Sequence, residues 1–127
     1  MGQQQLLLIV LGVIIVGIAV VVGINLFNAN AISANRDAVI SDINNLGTMA
    51  QQYYKKPTSM AGGGNTFTGW TIPASLDTTA NGTYTATVNA QSVTIVGLGT
   101  ETGDDGSTKV KATGTITPTA ITAVKNN

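Results

Sequence analysis

Apolar residues follow three successive patterns along the chain, and each pattern predicts a different element. From Leu6 to Ile24 every residue is apolar. A helix over this run is about 28 Å long, close to the thickness of the hydrocarbon layer of a membrane. Unpaired backbone groups are costly in lipid, so a single segment there must be helical. The first pattern therefore predicts a transmembrane helix, with residues 6–27 in an apolar environment.

The apolar run has three alternative interpretations. A secretory signal peptide would be cleaved near Ala29-Asn30-Ala31, a small-x-small sequence, but residues 1–5 contain no Lys or Arg. A buried core helix would need a larger domain than 127 residues provide. A plain membrane anchor stays open, because an anchor requires apolarity and nothing more.

The second pattern is an apolar stripe on an amphipathic helix, with a spacing of three and four residues. Its members are Ile32, Val39, Ile40, Ile43, Leu46, Ala50 and Tyr53. The opposite, polar face carries Asp37, Ser41, Asp42, Asn44, Asn45, Thr48 and Gln52. No proline precedes Pro57, and Lys55 and Lys56 suit the negative end of the helix dipole. We therefore expect one continuous helix over residues 1–54.

The third pattern is the period-two alternation of half-buried strands, which follows a connecting loop over residues 55–82. Phe67, Trp70 and Ile72 are expected to fix this loop to the helix stripe or the sheet edge, an aromatic ligand platform being the alternative. The alternation runs over residues 83–88, 93–96 and 109–116, with a hairpin link at 89–91, a longer turn at 99–107 and a final short strand near 121–124. The sequence thus predicts an α+β fold: one long helix packed on an antiparallel sheet head, residues 83–127, of three to four strands.

Charge is scarce and confined to one part of the chain. Charged residues make up 9%, six basic and six acidic, and all of them lie from Arg36 onward. A neutral chain without a basic cluster is not suited to nucleic acid. The chain has no cysteine and no histidine, which removes disulfides, thiol nucleophiles and the commonest general base. We therefore expect a non-enzymatic protein without a cofactor.

Two local motifs are candidate sites for chemistry. Glu101, Asp104 and Asp105 lie in a glycine-rich turn that could gather a calcium ion, although the spacing is not that of an EF-hand and a solvated turn is preferred. Asn81-Gly82-Thr83 matches the N-glycosylation acceptor pattern. No other metal site is predicted.

The chain as a whole resembles a type IV pilin or pseudopilin, with Gln5-Leu6-Leu7-Leu8-Ile9-Val10 where pilins carry their processed N-terminus and apolar run. The resemblance implies cleavage after a glycine by a prepilin peptidase, with Met1 or Gln3 as the first residue of the mature chain. It also implies methylation of the new N-terminus. It implies residence in the cytoplasmic membrane, then extraction by assembly machinery into a homopolymeric surface filament with a core of helices. The residues implied in assembly are Met1, Gln5, Leu6, Leu7, Leu8, Gly12, Gly17 and Gly23.

The chain departs from the pilin pattern at two points. Pilins typically carry glutamate at the fifth mature position, where this chain has the uncharged Gln5, so a salt bridge to a neighbour's amine is not available there. Many pilins also have a proline in the middle of the apolar run, where this chain has Val20-Val21-Val22, so we expect any local melting near the glycines. The expected function is that of a cell-surface filament subunit for adhesion, motility or DNA uptake. The alternatives are a pseudopilin or minor pilin of a secretion system and a membrane-anchored binding module that does not polymerise.

Overall fold

The computed structural model describes residues 2–127, and its elements follow the order that the sequence predicts. A 53-residue helix, α1, is followed by a short 3-10 helix and five strands. Their bounds are α1 Gln3–Lys55, 3-10 helix Thr58–Met60, β1 Thr78–Thr79, β2 Gly82–Val88, β3 Val93–Thr102, β4 Lys109–Ile116 and β5 Ile121–Lys125. The α+β class is confirmed.

The chain divides into two compact units, Met1–Ala31 and Ile32–Asn127. The first unit, described from residue 2, is helical from Gln3 onward and every residue from 2 to 30 is exposed. The second unit contains all the buried residues of the described chain and is called the head below.

The core of the head lies between one face of α1 and one face of the sheet. Val39, Ile43, Leu46 and Ala50 are at most 2% exposed. Their spacing of four, three and four residues places them on one side of the helix, which confirms the centre of the predicted stripe. They form a single cluster with apolar strand residues, namely Tyr84, Val93, Ile95, Ala112 and Ile116.

Glycines let the helix approach the sheet closely. A Cβ built on Gly114 would lie 2.2 Å from Cγ2 of Ile43, and one on Gly97 would lie 2.7 Å from Cγ1 of Val39. On the helix side, a Cβ on Gly47 would lie 2.8 Å from Cγ1 of Ile116. A side chain at any of these positions would force the two layers apart.

The sheet is antiparallel throughout, in the order β1-β2-β3-β4-β5, so its strand count exceeds the predicted three to four. The additional strand is β1, which lies inside the predicted connecting loop. Its two residues pair with Gly82 and Thr83 of β2. Two residues are too few to show an alternation, because the period-two pattern needs at least four positions. The predicted final short strand is β5.

One predicted turn is confirmed and the other begins too early in the prediction. The amide of Asn89 donates to the carbonyl of Ser92 at 2.8 Å, which closes the short β2–β3 hairpin. The second turn was expected from Gly99, whereas β3 continues to Thr102 and Thr102 pairs with Lys109 after an irregularity in register.

The connecting loop is fixed by its aromatic residues. Phe67 is fully buried and Trp70 is 7% exposed, both within the core cluster. The Phe67 ring lies 4.8 Å from the ring of Tyr54 on α1, measured between centroids. The loop therefore packs over the helix as predicted, and burial removes both rings from any exposed ligand platform.

Candidate functional site

The most extensive candidate site is the apolar surface of α1 between Leu6 and Phe27, called the apolar segment below. Every leucine, isoleucine, valine and phenylalanine in it is between 51% and 74% exposed. Folded protein cores bury such side chains, and large exposed apolar surfaces are typical of membrane or protein contact sites. Among residues 2–127, α1 is the one helix long and apolar enough to cross a membrane, through a stretch near its N-terminus.

The predicted assembly residues lie on this segment or beside it. Gln5, Leu6, Leu7 and Leu8 are all exposed on α1, and Met1 lies outside the described residues. A Cβ built on each of the three glycines of the segment, Gly12, Gly17 and Gly23, would meet nothing within 4 Å. The glycines are thus open notches on the surface of the helix.

The apolar segment carries no charged side chain along its whole length. The first turn of α1 contains no acidic residue, and no charged side chain occurs before Arg36. The amide of Leu6 donates to the carbonyl of Gly2 at 2.8 Å, so the helical hydrogen bonds begin at the start of the described chain. No charge on the segment opposes burial in an apolar environment.

A polar cluster around Asp42 joins α1 to β1 and β2. Oδ2 of Asp42 accepts hydrogen bonds from the Tyr84 hydroxyl at 2.5 Å, the Asn81 amide at 3.0 Å and the Thr79 hydroxyl at 3.2 Å. Burial first, and then the bond to the Asp42 carboxylate, raise the pKa of Tyr84 above its usual range. The cluster holds the carboxylate with three donors and ties the edge of the sheet to the helix.

Asn35 makes a second polar link between α1 and the sheet. Its Oδ1 accepts from the amides of Thr100 at 3.0 Å and Glu101 at 3.2 Å, and its Nδ2 donates to the carbonyl of Asn81 at 2.9 Å. A Cβ on Gly99 would lie 2.1 Å from this Oδ1. Asn35 therefore satisfies backbone donors where the β3–β4 register is irregular, and this allows β3 to continue into the predicted turn.

The candidate calcium turn has its carboxylates engaged with protein donors. Oδ1 of Asp104 accepts from Nη2 of Arg36 at 2.7 Å, and Lys125 pairs with Oδ2. Asp105 accepts from the Thr108 hydroxyl at 2.5 Å and from the amides of Ser107 and Thr108. Within residues 2–127 no group of three or more acidic side chains could hold a metal ion.

These contacts lower the pKa of both carboxyl groups. Hydrogen bonds from Lys125 and then Arg36 lower the pKa of Asp104, and the Thr108 hydroxyl with the two turn amides lowers the pKa of Asp105. Asn127 adds to the turn: its Oδ1 accepts from the amide of Asp105 at 3.1 Å. The turn is built as a set of local hydrogen bonds and ion pairs.

The glycosylation candidate, Asn81, is half-buried and its side chain is occupied. Its Nδ2 is the atom that a glycan would modify, and it donates to Asp42 at 3.0 Å. Attachment of a sugar in the folded head would therefore require this hydrogen bond to break.

Two polar residues that link α1 to the sheet were not identified from the sequence. Asp42 was placed on the solvent face of the helix and Asn35 was not singled out, whereas both contact the sheet. The sequence of a helix does not show whether its short polar side chains form hydrogen bonds with water or with a strand. A tyrosine on the buried side of β2, which needs a partner for its hydroxyl, was the one available signal for Asp42.

No protein-family model, curated protein or solved structure gives a significant match to this chain.

Proposed function

We propose that the chain is the repeating structural subunit of a type IV pilus-like surface filament, which polymerises through its apolar segment. The observation that supports this most directly is the contrast between the two units. The head buries its own apolar residues, whereas residues 2–30 bury none. The apolar segment is thus the part of the molecule whose apolar side chains are not buried within the chain itself.

The size of this exposed surface favours its burial against lipid or against other copies of the chain. Burial of one large aliphatic side chain contributes about 1.5–3 kcal/mol. The aliphatic side chains of the segment are all at least half exposed, so together they represent on the order of 20 kcal/mol of unfavourable contact with water. Lipid can cover this surface before assembly, and copies of the same helix can cover it afterwards.

Helix packing between copies is favoured by the surface of the segment. It carries no charge, and Gly12, Gly17 and Gly23 are open notches that permit close approach of a second helix. Moreover, α1 continues to Lys55, so the same helix provides the core of the head. An ordinary anchor joins its domain through a flexible linker, whereas this arrangement suits a subunit whose head is carried by a packed helix.

The proposal includes the machinery that the pilin resemblance implies. The chain would wait in the cytoplasmic membrane, be processed by a prepilin peptidase and methylated, and then join a homopolymer at the cell surface. Because position 5 is the uncharged Gln5, assembly would proceed without a glutamate–amine salt bridge at this point. The role is structural and not catalytic.

Electron microscopy of filaments sheared from producing cells tests this proposal. Because the chain has no cysteine, a Ser59→Cys variant carries a single thiol on an exposed position of the head. Maleimide-linked gold should decorate such filaments along their whole length and leave unsubstituted filaments bare. Cells that lack the gene should produce none. Filaments that persist without the gene, or that never take up gold, would refute the proposal.

A membrane-anchored module that does not polymerise is the second candidate. It is supported by the stretch of α1 that is long and apolar enough to span a membrane. In that case the Ser59→Cys chain would be recovered from the membrane fraction, and no gold-labelled filament would be seen.

A further inference from the structure

The face of the sheet opposite α1 carries two complete rows of uncharged residues across β2, β3, β4 and β5. The first row consists of four threonines directly opposite one another: Thr87, Thr94, Thr115 and Thr122. The second row alternates threonine and valine: Thr85, Val96, Thr113 and Val124. These eight positions are called the threonine face below, and all of them are exposed or half-buried.

The threonine face carries no charged residue, although the head contains every charged residue of the chain. All six basic and all six acidic residues of the chain lie from Arg36 onward, yet none falls in either row. Lys111 lies in the adjoining row of the same face of the sheet, opposite Leu98. Solvent-facing sheets usually carry charges that keep copies apart. This face lacks that protection.

The chemistry of the face is self-complementary. Val124 is 55% exposed, and the threonine methyl groups add to the apolar area around it. Among residues 2–127, Thr113 is the one threonine of the face whose hydroxyl has a protein partner, Oδ1 of Asn126 at 2.6 Å. The other hydroxyls can each donate and accept, so two such faces can meet without an unpaired donor or a repulsive charge.

The area of the face is too small for a stable dimer. Strands about 4.8 Å apart and rows about 6.8 Å apart give a footprint of about 260 Å² per copy, and about 520 Å² for two. Stable specific interfaces bury about 1,200 Å² or more in total. A single contact is therefore weak, whereas a repeated array of such contacts gains strength from multivalency.

We propose that the threonine face is a lateral contact surface, through which neighbouring filaments bundle by packing the face of one copy on the same face of another. This inference rests on the proposed filament function. For this contact the threonine face must lie on the outside of the filament, and all of its residues are exposed or half-buried in the subunit. The weak individual contact becomes effective because each filament presents many copies in a regular series.

A pair of charge variants tests this inference with a matched control. Thr85→Lys/Thr115→Lys places two cations on the face, at exposed strand positions without a side-chain hydrogen bond. Ser59→Lys/Ser75→Lys adds the same charge at exposed positions outside the sheet. By electron microscopy at low salt, we expect the wild type and the control to form side-by-side bundles and the face variant to form single filaments. Salt at about 1 M, where the screening length falls to about 3 Å, should restore bundling of the face variant.

Opposite charge provides a second, independent measurement. Filaments of Thr85→Glu/Thr115→Glu should remain single when alone and should form mixed bundles with filaments of the lysine variant. The inference would be overturned by wild-type filaments that stay single, or by lysine and glutamate variants that bundle as the wild type does. If the wild-type chain forms no filaments, the proposed function fails as well. If filaments form and do not bundle, this inference alone fails.

Discussion

Tyr84→Phe is the most informative single substitution in the head, because it removes one hydroxyl and leaves the packing of the ring. Tyr84 is 3% exposed, and its hydroxyl lies 2.5 Å from Oδ2 of Asp42. A hydrogen bond to a charged group contributes about 1.5–3 kcal/mol. The variant leaves Thr79 and Asn81 as donors to the carboxylate, so we expect a loss near the lower end, about 1.5–2 kcal/mol.

The assay is thermal unfolding of the full chain in detergent micelles, followed by tryptophan fluorescence. Trp70 is the single tryptophan and lies in the core of the head, so its emission reports the unfolding of that unit. For a domain of this size, a loss of about 1.5–2 kcal/mol lowers Tm by about 10 °C. The matched control is Tyr54→Phe, whose hydroxyl donates to Gln91 at an exposed site. Because that bond is neutral and solvated, we expect the control to lower Tm by about 3 °C or less.

The pH dependence of the same pair of proteins tests the cause. The folded head holds the Tyr84 hydroxyl in its neutral form, and its pKa is raised mainly by burial and then by Asp42. An unfolded tyrosine ionises near pH 10, so this stabilisation is present below about pH 10 and is lost as the pH rises toward the folded pKa. The loss is about 1.4 kcal/mol per pH unit, and phenylalanine lacks it. The gap between wild type and Tyr84→Phe should therefore close by about pH 11.5.

Two results would refute this reasoning. One is a difference below about 0.5 kcal/mol between wild type and variant at pH 7, which would mean that the bond to Asp42 contributes little. The other is a gap that stays constant between pH 9 and 11.5, which would mean that the folded head does not hold Tyr84 neutral.

Three further substitutions test other parts of the structure. Gly114→Val should destabilise the head by at least about 1–3 kcal/mol because its side chain would overlap Ile43; an unchanged Tm would contradict the close approach of helix and sheet. Asn35→Ala removes the acceptor of the Thr100 and Glu101 amides. Hydrogen exchange at these two amides should therefore accelerate, while exchange at Ile95 stays slow. Equal protection of the two amides in wild type and variant would count against the role of Asn35 in holding the end of β3. Val16→Lys places a charge within the apolar segment and should abolish filaments. The Trp70 unfolding transition should stay within about 2 °C of wild type, because Val16 makes no contribution to the head core. Filaments of normal number would argue against assembly through this segment.

The sequence was sufficient wherever a residue pattern repeated often enough to give one solution. The stripe through Val39, Ile43, Leu46 and Ala50 has helical spacing, and these four residues form the helix side of the core. The alternation around Ile95 and Ala112 likewise gives buried strand positions. The aromatic anchors Phe67 and Trp70 were predicted as packing residues because the loop around them offers few other apolar groups.

The sequence was insufficient where a single long-range contact decides the local structure. The end of β3 depends on the amide group of Asn35, which is 65 residues from Thr100, and glycine at position 99 by itself favours a turn. Strand β1 has two residues and exists because β2 provides a partner for it. Asp42 is a half-buried acceptor because Tyr84 lies opposite it across the helix–sheet contact. Local patterns contain no information about any of these partners.

The sequence by itself determined the division of the molecule into an apolar, uncharged helix segment and a neutral α+β head, because hydrophobicity and its period are properties of consecutive residues. Only the tertiary structure decided how the polar residues are used. It aligned Thr87, Thr94, Thr115 and Thr122 in one row, and it brought Asp42 and Asn35 from the helix to the sheet. The physical reason is that register and helix–sheet packing are fixed by contacts between residues far apart in the chain, through close approaches such as that of Gly114 to Ile43.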